Sequence, residues 1–574
     1  MRMTKLLRAL AIAFGGLIPT TPMWLRGMPD AGDAVFHAMW YTNFARQFFA
    51  GELYPRWLSE MNGGLGSPVF FFYAPLPYYL TLPFTPFLSG GTYGMRHLGM
   101  SVSLAVIASG FAAYLWLKKT DGENSAAIAA VIYMLMPYHL GIDLYGRVAF
   151  AELWAFVWMP LVLYCVRLIQ SERARLGVAA LSLSYAALIM THLPSVLIFS
   201  PIPPLLALFA TETGRRQRAA SLTVGGMLLG TGLAAVYLIP AMWTQDYVSM
   251  YEMQPTLYGE RWLQFPRLSL RDVEAQLSWA ALTTFGLLGC ALALMRGGEA
   301  SDARRREKIF WFAVACASVL LMTPASNFVW QLLTPLQSIQ FPWRFNATLC
   351  LAATALLAHA LCKQGKPRGA FKVSALAVAC LIVSSWVAFT IWRASPAMHM
   401  GRGALGAVAR KRLREARDAP EYRPADAAST QEFAFEALLE RICKIGDMRA
   451  RACPVEGTGS FNVERWTPRE IALRVETVQG LTFNVSRFYY PGWAAYVDGR
   501  AHPLAPSQPD RLLQLALPPG THHLTLRLER TTHESVGQLV SAASVVVLLL
   551  WSVGGKWFVR RRKAAGAAAG KRDG

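Results

Sequence analysis

The sequence predicts a polytopic α-helical membrane protein with a β-sandwich-like extracytoplasmic domain near its C-terminus. Three observations carry that prediction. The 574 residues are 54% hydrophobic and only 16% charged, against about 25% charged in soluble domains. Apolar runs long enough to cross a bilayer, roughly 20 residues each, recur from Leu6 to Trp392 and begin once more near Val536. Between them stand short basic clusters: Arg2/Lys5/Arg8, Lys118/Lys119, Arg167/Arg173/Arg175, Arg215/Arg216/Arg218, Arg304/Arg305/Arg306/Lys308, Lys363/Lys366/Arg368/Lys372 and Arg560/Arg561/Arg562/Lys563. Basic loops of this kind mark the cytoplasmic side. The formal charge of +21 is therefore a topology signal, and nucleic acid is not an expected partner.

Placing every basic cluster on one side threads the chain. The N-terminus reads as a retained first span, about 6–25, and not as a cleaved signal. It delivers loop 26–67 to the extracytoplasmic face. The stretch "PVFFFYAPLPYYLTLPFTPFL" (68–88) carries Pro68, Pro75, Pro77, Pro83 and Pro86, which break a helix. Segment 68–91 is therefore expected to be a broken re-entrant or interfacial piece, tolerated where protein covers its backbone. Spans follow near 95–117, 125–140, 149–168, 176–191, 194–210, 220–240, 277–295, 309–324, 343–362, 372–392 and 536–556. This gives about 12 (11–13) spans and leaves 557–574 as a basic cytoplasmic tail. Residues 1–392 form the transmembrane module and 393–535 an extracytoplasmic domain. Its first part reads as helical. Across 460–530, period-two segments such as "EIALRVE" and "HHLTLRLE", with turns at Asp498-Gly499 and Pro518-Pro519-Gly520, predict a small β-sandwich.

The non-basic polar features then fall on one face. Asp30, Asp33 and His37 are spaced i, i+3, i+7 and share a side of any helix starting near Pro29. That set fits a divalent cation, Mg2+ or Mn2+. It equally fits one carboxylate working as a general base, or a helix cap flanked by solvated groups. Arg56 in "YPRW" and Arg344 in "FPWR" are of the type that binds phosphate through a planar fork; interfacial anchoring is the alternative. Asp143, Arg147 and Glu152 follow "PYHLG", and Glu152 already lies inside an apolar run, where an ionisable group is costly and faces protein or water. An internal Arg147–Glu152 bridge is one reading and a supporting role in chemistry the other. His192 in "THLPS" is a further supporting candidate. Cys443 and Cys453, placed outside the cytoplasm, are a disulfide candidate. The exposed-looking aromatics of "YYPGWAAYVDGR" suit carbohydrate. No GxSxG, P-loop or HExxH motif occurs, so nucleotide hydrolysis and serine-type chemistry have no support.

"GDAVFHAMW", "GELYPRWLSEMNGGLGSPVFFFYAPLPYYL", "LYGRVAFAELWAFVWMPLVLY", "THLPSVLIF", "QFPWRFN" and "FYYPGWAAYVDG" occur in an order that resembles one bacterial membrane family. It is the 6-pyruvoyl-tetrahydropterin-synthase-related family, similar to YfhO-like proteins. No zinc–histidine pattern of a soluble pterin synthase accompanies it. The family in turn resembles the GT-C glycosyltransferases. That resemblance implies a multi-pass enzyme of the bacterial cytoplasmic membrane, active on its extracytoplasmic face in envelope assembly. It would move a sugar, with inversion, from a polyprenyl-phosphate donor to a glycan, lipid or protein acceptor. It also implies an acidic residue in the first extracytoplasmic loop as base or metal ligand. Asp33 holds the matching position, with Asp30 as second carboxylate. The spacing here is Asp-Ala-Gly-Asp and not Asp-any-Asp. His37 joins Asp33 as the catalytic expectation, Arg56 and Arg344 as the donor-phosphate ligands. A transporter or flippase of lipid-linked saccharide, or a non-catalytic scaffold, is the alternative.

Overall fold

The computed structural model describes residues 4–28, 32–87, 94–249, 302–363, 417–425 and 452–569, with isolated positions between 258 and 288 and between 435 and 438. Helix α1 (Lys5–Arg26) starts where the Thr4 hydroxyl accepts the Leu7 N–H, an N-cap. Then come α2 (Ala34–Phe49), α3 (Val69–Phe72), α4 (Leu76–Thr81), α5 (Met95–Asp121), α6 (Glu123–Leu135) and α7 (Phe150–Gln170). Next are α8 (Ala174–Ile189), α9 (Leu193–Phe199), α10 (Ile202–Phe209), α11 (Arg216–Leu233) and α12 (Ala235–Trp243). The later helices are α13 (Asp302–Leu321), α14 (Asn327–Leu332), α15 (Asn346–Lys363) and α16 (Thr532–Ala569).

Among the described residues, six helices are long and apolar enough to cross a membrane, or up to eight if two bent pairs each count as one span. The pairs bend by 70° at α11–α12 and by 94° at α13–α14. Helix α8 and the α9–α10 run are apolar but shorter. The expected spans 277–295 and 372–392 lie wholly or largely outside the described residues. Residues 68–87 are broken into α3, α4 and a 3-10 turn (Leu82–Phe87), mostly buried.

Tight helix packing is written in small residues. A side chain on Gly99 of α5 would come within 2.1 Å of the Met23 carbonyl of α1. Helix α16 presents Leu539 and Leu550 outward, 70% and 67% exposed, as a lipid-facing helix does. It grips the α11–α12 break through Ser541, whose hydroxyl accepts the Val236 N–H (2.8 Å) and donates to the Leu233 carbonyl (2.9 Å). Backbone groups freed at a broken span need such partners.

The C-terminal region is antiparallel, as its alternation predicts, with strands β1 (Ala452–Trp466), β2 (Glu470–Phe488), β3 (Trp493–Val497), β4 (Arg500–His502), β5 (Ala505–Pro506), β6 (Leu512–Leu517) and β7 (Gly520–Leu528). Its strands are hydrogen-bonded in the order β4-β3-β7-β2-β6-β5, with β1 also on β2. The long β2 joins its halves: residues 470–477 pair with β7 and 481–488 with β6, on either side of Gly480 at φ +92°.

Aromatics expected to be exposed on this domain fasten it to the first loop instead. Tyr490 and Trp493 are buried, each with its ring centroid 6.0 Å from that of Trp57. Arg487, also buried, donates to the carbonyls of Ser59 (2.6 Å) and Gly64 (2.9 Å). Cys453 is a free cysteine and Cys443 lies outside the described residues, so the expected disulfide is not seen.

Candidate functional site

Helix α6 ends at Leu135, where Met136 takes an extended ψ of 135°. Pro137–Gly146 then winds as a π-helix, a form that gathers at functional sites. The turn after it is strained: Val148, a β-branched residue, sits at φ +54°, costing about 1–3 kcal/mol. The Arg147 N–H donates to the Ile142 carbonyl (2.7 Å) and the Ala149 N–H to the Asp143 carbonyl (2.8 Å). The wound segment thereby aims Asp143 and Arg147 back at Glu152, in the first turn of α7.

These side chains meet. Arg147 lies 3.3 Å from Asp143 and 3.4 Å from Glu152, and Arg344 lies 3.5 Å from Glu152. Tyr138 donates to Glu152 Oε1 (2.8 Å). A second strained turn, with Gln340 at φ +63°, precedes the 3-10 turn Pro342–Phe345 that carries Arg344. Arg344 Nη1 donates to the Ile339 carbonyl (2.7 Å), and Phe341 stacks under both guanidinium groups. Asp143 is wholly buried and, among the described residues, its Oδ2 has no hydrogen-bond partner. Two arginines and two carboxylates thus balance in charge, but through long contacts.

Asp33 stands at the edge of this network. Its backbone N–H donates to the Arg147 carbonyl (3.2 Å), and Gly32 before it packs so closely there that a Cβ would come within 1.9 Å of the same oxygen. Only glycine fits that contact, which is also at φ +50°. Asp33 occupies the N-cap of α2, yet its side chain makes no capping hydrogen bond. Its carboxylate is exposed and its field reaches Arg147, Tyr73 and His37.

The single polar face expected for Asp30, Asp33 and His37 is not what forms. Helix α2 starts after Asp33, and Asp30 lies outside the described residues. His37 turns inward, its Nδ1 2.7 Å from the Tyr78 hydroxyl, among the rings of Trp40, Tyr73 and Phe150. Burial pushes its imidazole down to about 4, against the pull of Asp33. Among the described residues no group of three His, Cys, Asp or Glu side chains fits a metal ion, and Asp30, the partner of Asp33 in the expected metal pair, is not among them.

Arg56 is engaged elsewhere. Both it and Glu534 at the start of α16 are buried, and they pair at 2.5 Å while Arg56 Nη2 donates to the Val236 carbonyl (2.8 Å). Arg56 therefore ties the first loop to the last helix, and the network brings Arg147 to the place where Arg56 was expected beside Arg344. His192 Nδ1 lies 2.7 Å from Ser195 Oγ. Burial pushes it down to about 3, against the pull of Glu152, so it faces the network as a neutral ring. Sequence reasoning did not reach Tyr138, because aromatic residues beside membrane spans are too common to single out.

Residues 70–392 match the family described as 6-pyruvoyl-tetrahydropterin synthase related domain, a membrane protein. The chain belongs to that family. No curated protein matches it. Among solved structures it is similar to the arabinofuranosyltransferase AftD from Mycobacteria, at 18% identity over 69% of this chain and 27% of that one, with a TM-score of 0.44. It is also similar to ArnT from Cupriavidus metallidurans bound to undecaprenyl phosphate, at 15% identity over 61% and 76% of the two chains, with a TM-score of 0.30. The oligosaccharyltransferase of Archaeoglobus fulgidus in the apo form is 12% identical over 70% and 57%, with a TM-score of 0.39. This chain spans about a quarter of the length of AftD.

Proposed function

We propose that this membrane protein is a glycosyltransferase that moves a sugar, with inversion, from a polyprenyl-phosphate donor to an acceptor hydroxyl, with Asp33 as general base. One observation carries the reading. An exposed carboxylate, unspent on its own helix cap, is held by the Arg147 backbone beside two arginines, Arg147 half-buried and Arg344 buried, whose ion pairs are long. Arginines held at 3.3–3.5 Å can turn to a phosphate without breaking a close pair, and a phosphate at the leaving position is what a guanidinium fork suits.

In the proposed step Asp33 takes the proton of the acceptor hydroxyl as its oxygen attacks the anomeric carbon. The bond from that carbon to the phosphate oxygen breaks on the opposite side. Its electron pair leaves with polyprenyl phosphate, whose charge Arg147 and Arg344 stabilise. Glu152 and Asp143 hold the two arginines in register before the donor arrives, and Tyr138 fixes Glu152. The site lies at the end of the bundle away from the basic clusters, in keeping with an extracytoplasmic reaction in a bacterial inner membrane.

The test uses the whole chain in lipid nanodiscs with a panel of polyprenyl-phosphate sugars, read by mass spectrometry with and without EDTA. Parent protein should consume a donor and Asp33→Asn should bind it without turnover. An Asp33→Asn variant as active as the parent removes Asp33 from the mechanism. Binding without turnover in both, whatever acceptor is supplied, turns the reading to lipid-linked saccharide transport. Inhibition by EDTA would bring a metal into it.

A further inference from the structure

At the basic end of the bundle, two arginines from separate helices meet on one backbone oxygen. The Thr211 carbonyl, in the short turn after α10, accepts from Arg216 Nε (3.2 Å) at the start of α11 and from Arg306 Nη2 (3.3 Å) near the start of α13. Arg306 Nε also donates to the Phe209 carbonyl (3.1 Å), the last of α10. Thr211 is itself fixed from within. Its hydroxyl donates to the Ala207 carbonyl and accepts from Gln170 Nε2 (3.0 Å). Gln170 Oε1 in turn accepts from Arg167 (3.0 Å), which pairs with buried Glu307. The pinned turn thus sets two guanidinium groups side by side, within reach of one small anion.

Capping the free carbonyls at the end of α10 accounts for these contacts, but not for the charge. A guanidinium has five N–H donors; Arg216 spends one of them here and Arg306 two. Both side chains are half-buried, and among the described residues neither has an ion pair. Glu212, in the same turn, is exposed and pairs with neither. The more deeply buried arginines at this end do have carboxylate partners: Arg8 pairs with Glu123 and Arg167 with Glu307. Inward from the unpaired arginines the surface turns apolar. Leu205 and Phe209 stand one helical turn apart on α10, Ile309 and Phe312 likewise on α13, and all four are exposed. The stacked rings of Phe209 and Phe310, 6.3 Å apart, join the two helices there.

We propose that this is a binding site for an anionic phospholipid of the leaflet at the basic end. The lipid phosphate takes the unspent N–H groups of Arg216 and Arg306, and an acyl chain lies over Leu205, Phe209, Ile309 and Phe312. Phosphate oxygens are the acceptors that paired guanidinium groups hold best, and a cation partly withdrawn from water is costly until an anion meets it. Unpaired cations beside a lipid-facing apolar strip suit a ligand that carries an anion and a hydrocarbon tail together. Free phosphate would satisfy the arginines and leave the strip without a share in recognition. Arg215 and Arg305, exposed next to the pair in sequence, add to its field. A headgroup of net negative charge is therefore preferred to a zwitterionic one, whose ammonium would meet them. A lipid held there also joins α10, α11 and α13 at one point. The hydrogen bonds from Thr211 through Gln170 tie that point to Arg167 and Glu307, so anionic lipid should stabilise the folded protein.

The experiment uses the full chain in nanodiscs of phosphatidylcholine, with or without phosphatidylglycerol, and native mass spectrometry of the lipid retained after transfer to detergent. The double variant Arg216→Gln/Arg306→Gln is compared with the parent and with Arg173→Gln/Arg175→Gln, which removes the same charge from exposed arginines at the same end. The parent should retain phosphatidylglycerol in preference to phosphatidylcholine and gain Tm when it is present. In the Arg216/Arg306 variant retention should fall at least about ten-fold and the Tm gain should vanish, while the Arg173/Arg175 variant keeps both. Equal loss in the two variants reduces the site to diffuse surface charge and overturns the proposal. A parent that retains the two lipids alike overturns it as well. So does a Tm gain from inorganic phosphate in phosphatidylcholine nanodiscs that matches the gain from phosphatidylglycerol, since the ligand is then the free anion. If the glutamine pair does not fold, Arg216→Lys/Arg306→Lys takes its place: it keeps the charge and loses the planar forks, so retention should still fall, and unchanged retention overturns the proposal. No readout uses donor turnover, so the outcome is independent of the glycosyltransferase reading.

Discussion

Two buried charge networks sit at opposite ends of the helical bundle, and they close differently. Helix α5 runs 27 residues, about 40 Å, between them. At the basic end, Arg167 pairs with Glu307, and His359 pairs with Asp121 and reaches Glu307 at 3.6 Å. Trp311 donates to Glu307 at 3.4 Å and Arg167 to Gln170 at 3.0 Å. Its four helices are regular. At the other end, Asp143, Arg147, Glu152 and Arg344 keep 3.3–3.5 Å apart. The helix is wound as a π-helix, and Val148 and Gln340 sit at positive φ. Both ends leave buried polar atoms without a hydrogen bond among the described residues, Arg167 Nε and His359 Nε2 at one and Asp143 Oδ2 at the other; the difference is that one network closes through short pairs joining four helices, while the other is held at longer range by strained backbone. Strain and slack together are what a site that must receive charge looks like, since the fold stabilises it from outside.

The largest effect should come from opening the closed network. Glu307→Gln leaves Arg167 and His359 short of a partner in a buried setting, a loss of about 3–5 kcal/mol. Thermal unfolding in nanodiscs should show a lower Tm and a smaller folded yield, with donor turnover per folded molecule kept. A Glu307→Gln protein as stable as the parent breaks the comparison outright.

Next in size is a pH effect on the open side. His37 ionises near 6.5 when unfolded and is pushed down to about 4 when folded, so between those values the unfolded chain binds more protons. Stability then rises with pH across that window and is lost as pH falls through it, by up to about 3 kcal/mol at about 1.4 per pH unit. His192 acts with the same sign. Tm followed from pH 7 to pH 4 should fall less steeply in His37→Gln than in the parent; parallel curves would show that folding leaves the imidazole unshifted.

Smaller again is Arg344→Lys, which keeps the charge and removes the planar fork. Donor affinity should fall about ten-fold, near 1.4 kcal/mol, with Tm almost unmoved. A large Tm loss and normal donor affinity would move Arg344 from the site to the scaffold.

How much of this the sequence discloses follows from what each feature depends on. Arg147, Glu152 and Arg344 are legible because an ionisable group in or beside an apolar run is unusual, and 68–88 is legible because proline acts locally. Alternation gives the strands and their buried side, but not that β2 pairs with both β6 and β7. Arg56 was misassigned because its partner Glu534 is 478 residues away, and no local pattern connects them. His37 carries the right residue type, but its inward turn depends on Tyr78 reaching it.

The smallest stability effect sharpens the comparison most. Glu152→Gln removes the same charge as Glu307→Gln, at a residue equally buried. Yet the amide oxygen can still accept from Tyr138, Arg147 retains Asp143, and Arg344 retains the Ile339 carbonyl. The cost should stay within about 1 kcal/mol, the value of one modest hydrogen bond. The functional effect should be larger and of a definite sign. With one carboxylate gone, the two arginines carry net positive charge into the site, so donor and product phosphate both bind more tightly. Donor KM should fall, and kcat should fall with it as release of polyprenyl phosphate slows. Measured side by side, Tm and the two kinetic constants separate the ends of the bundle: a closed network loses stability when its charge is removed, an open one changes what it binds. If Glu152→Gln instead unfolds the protein as Glu307→Gln does, the long contacts at the Asp33 end are structural after all, and the arginines are not free to meet a phosphate.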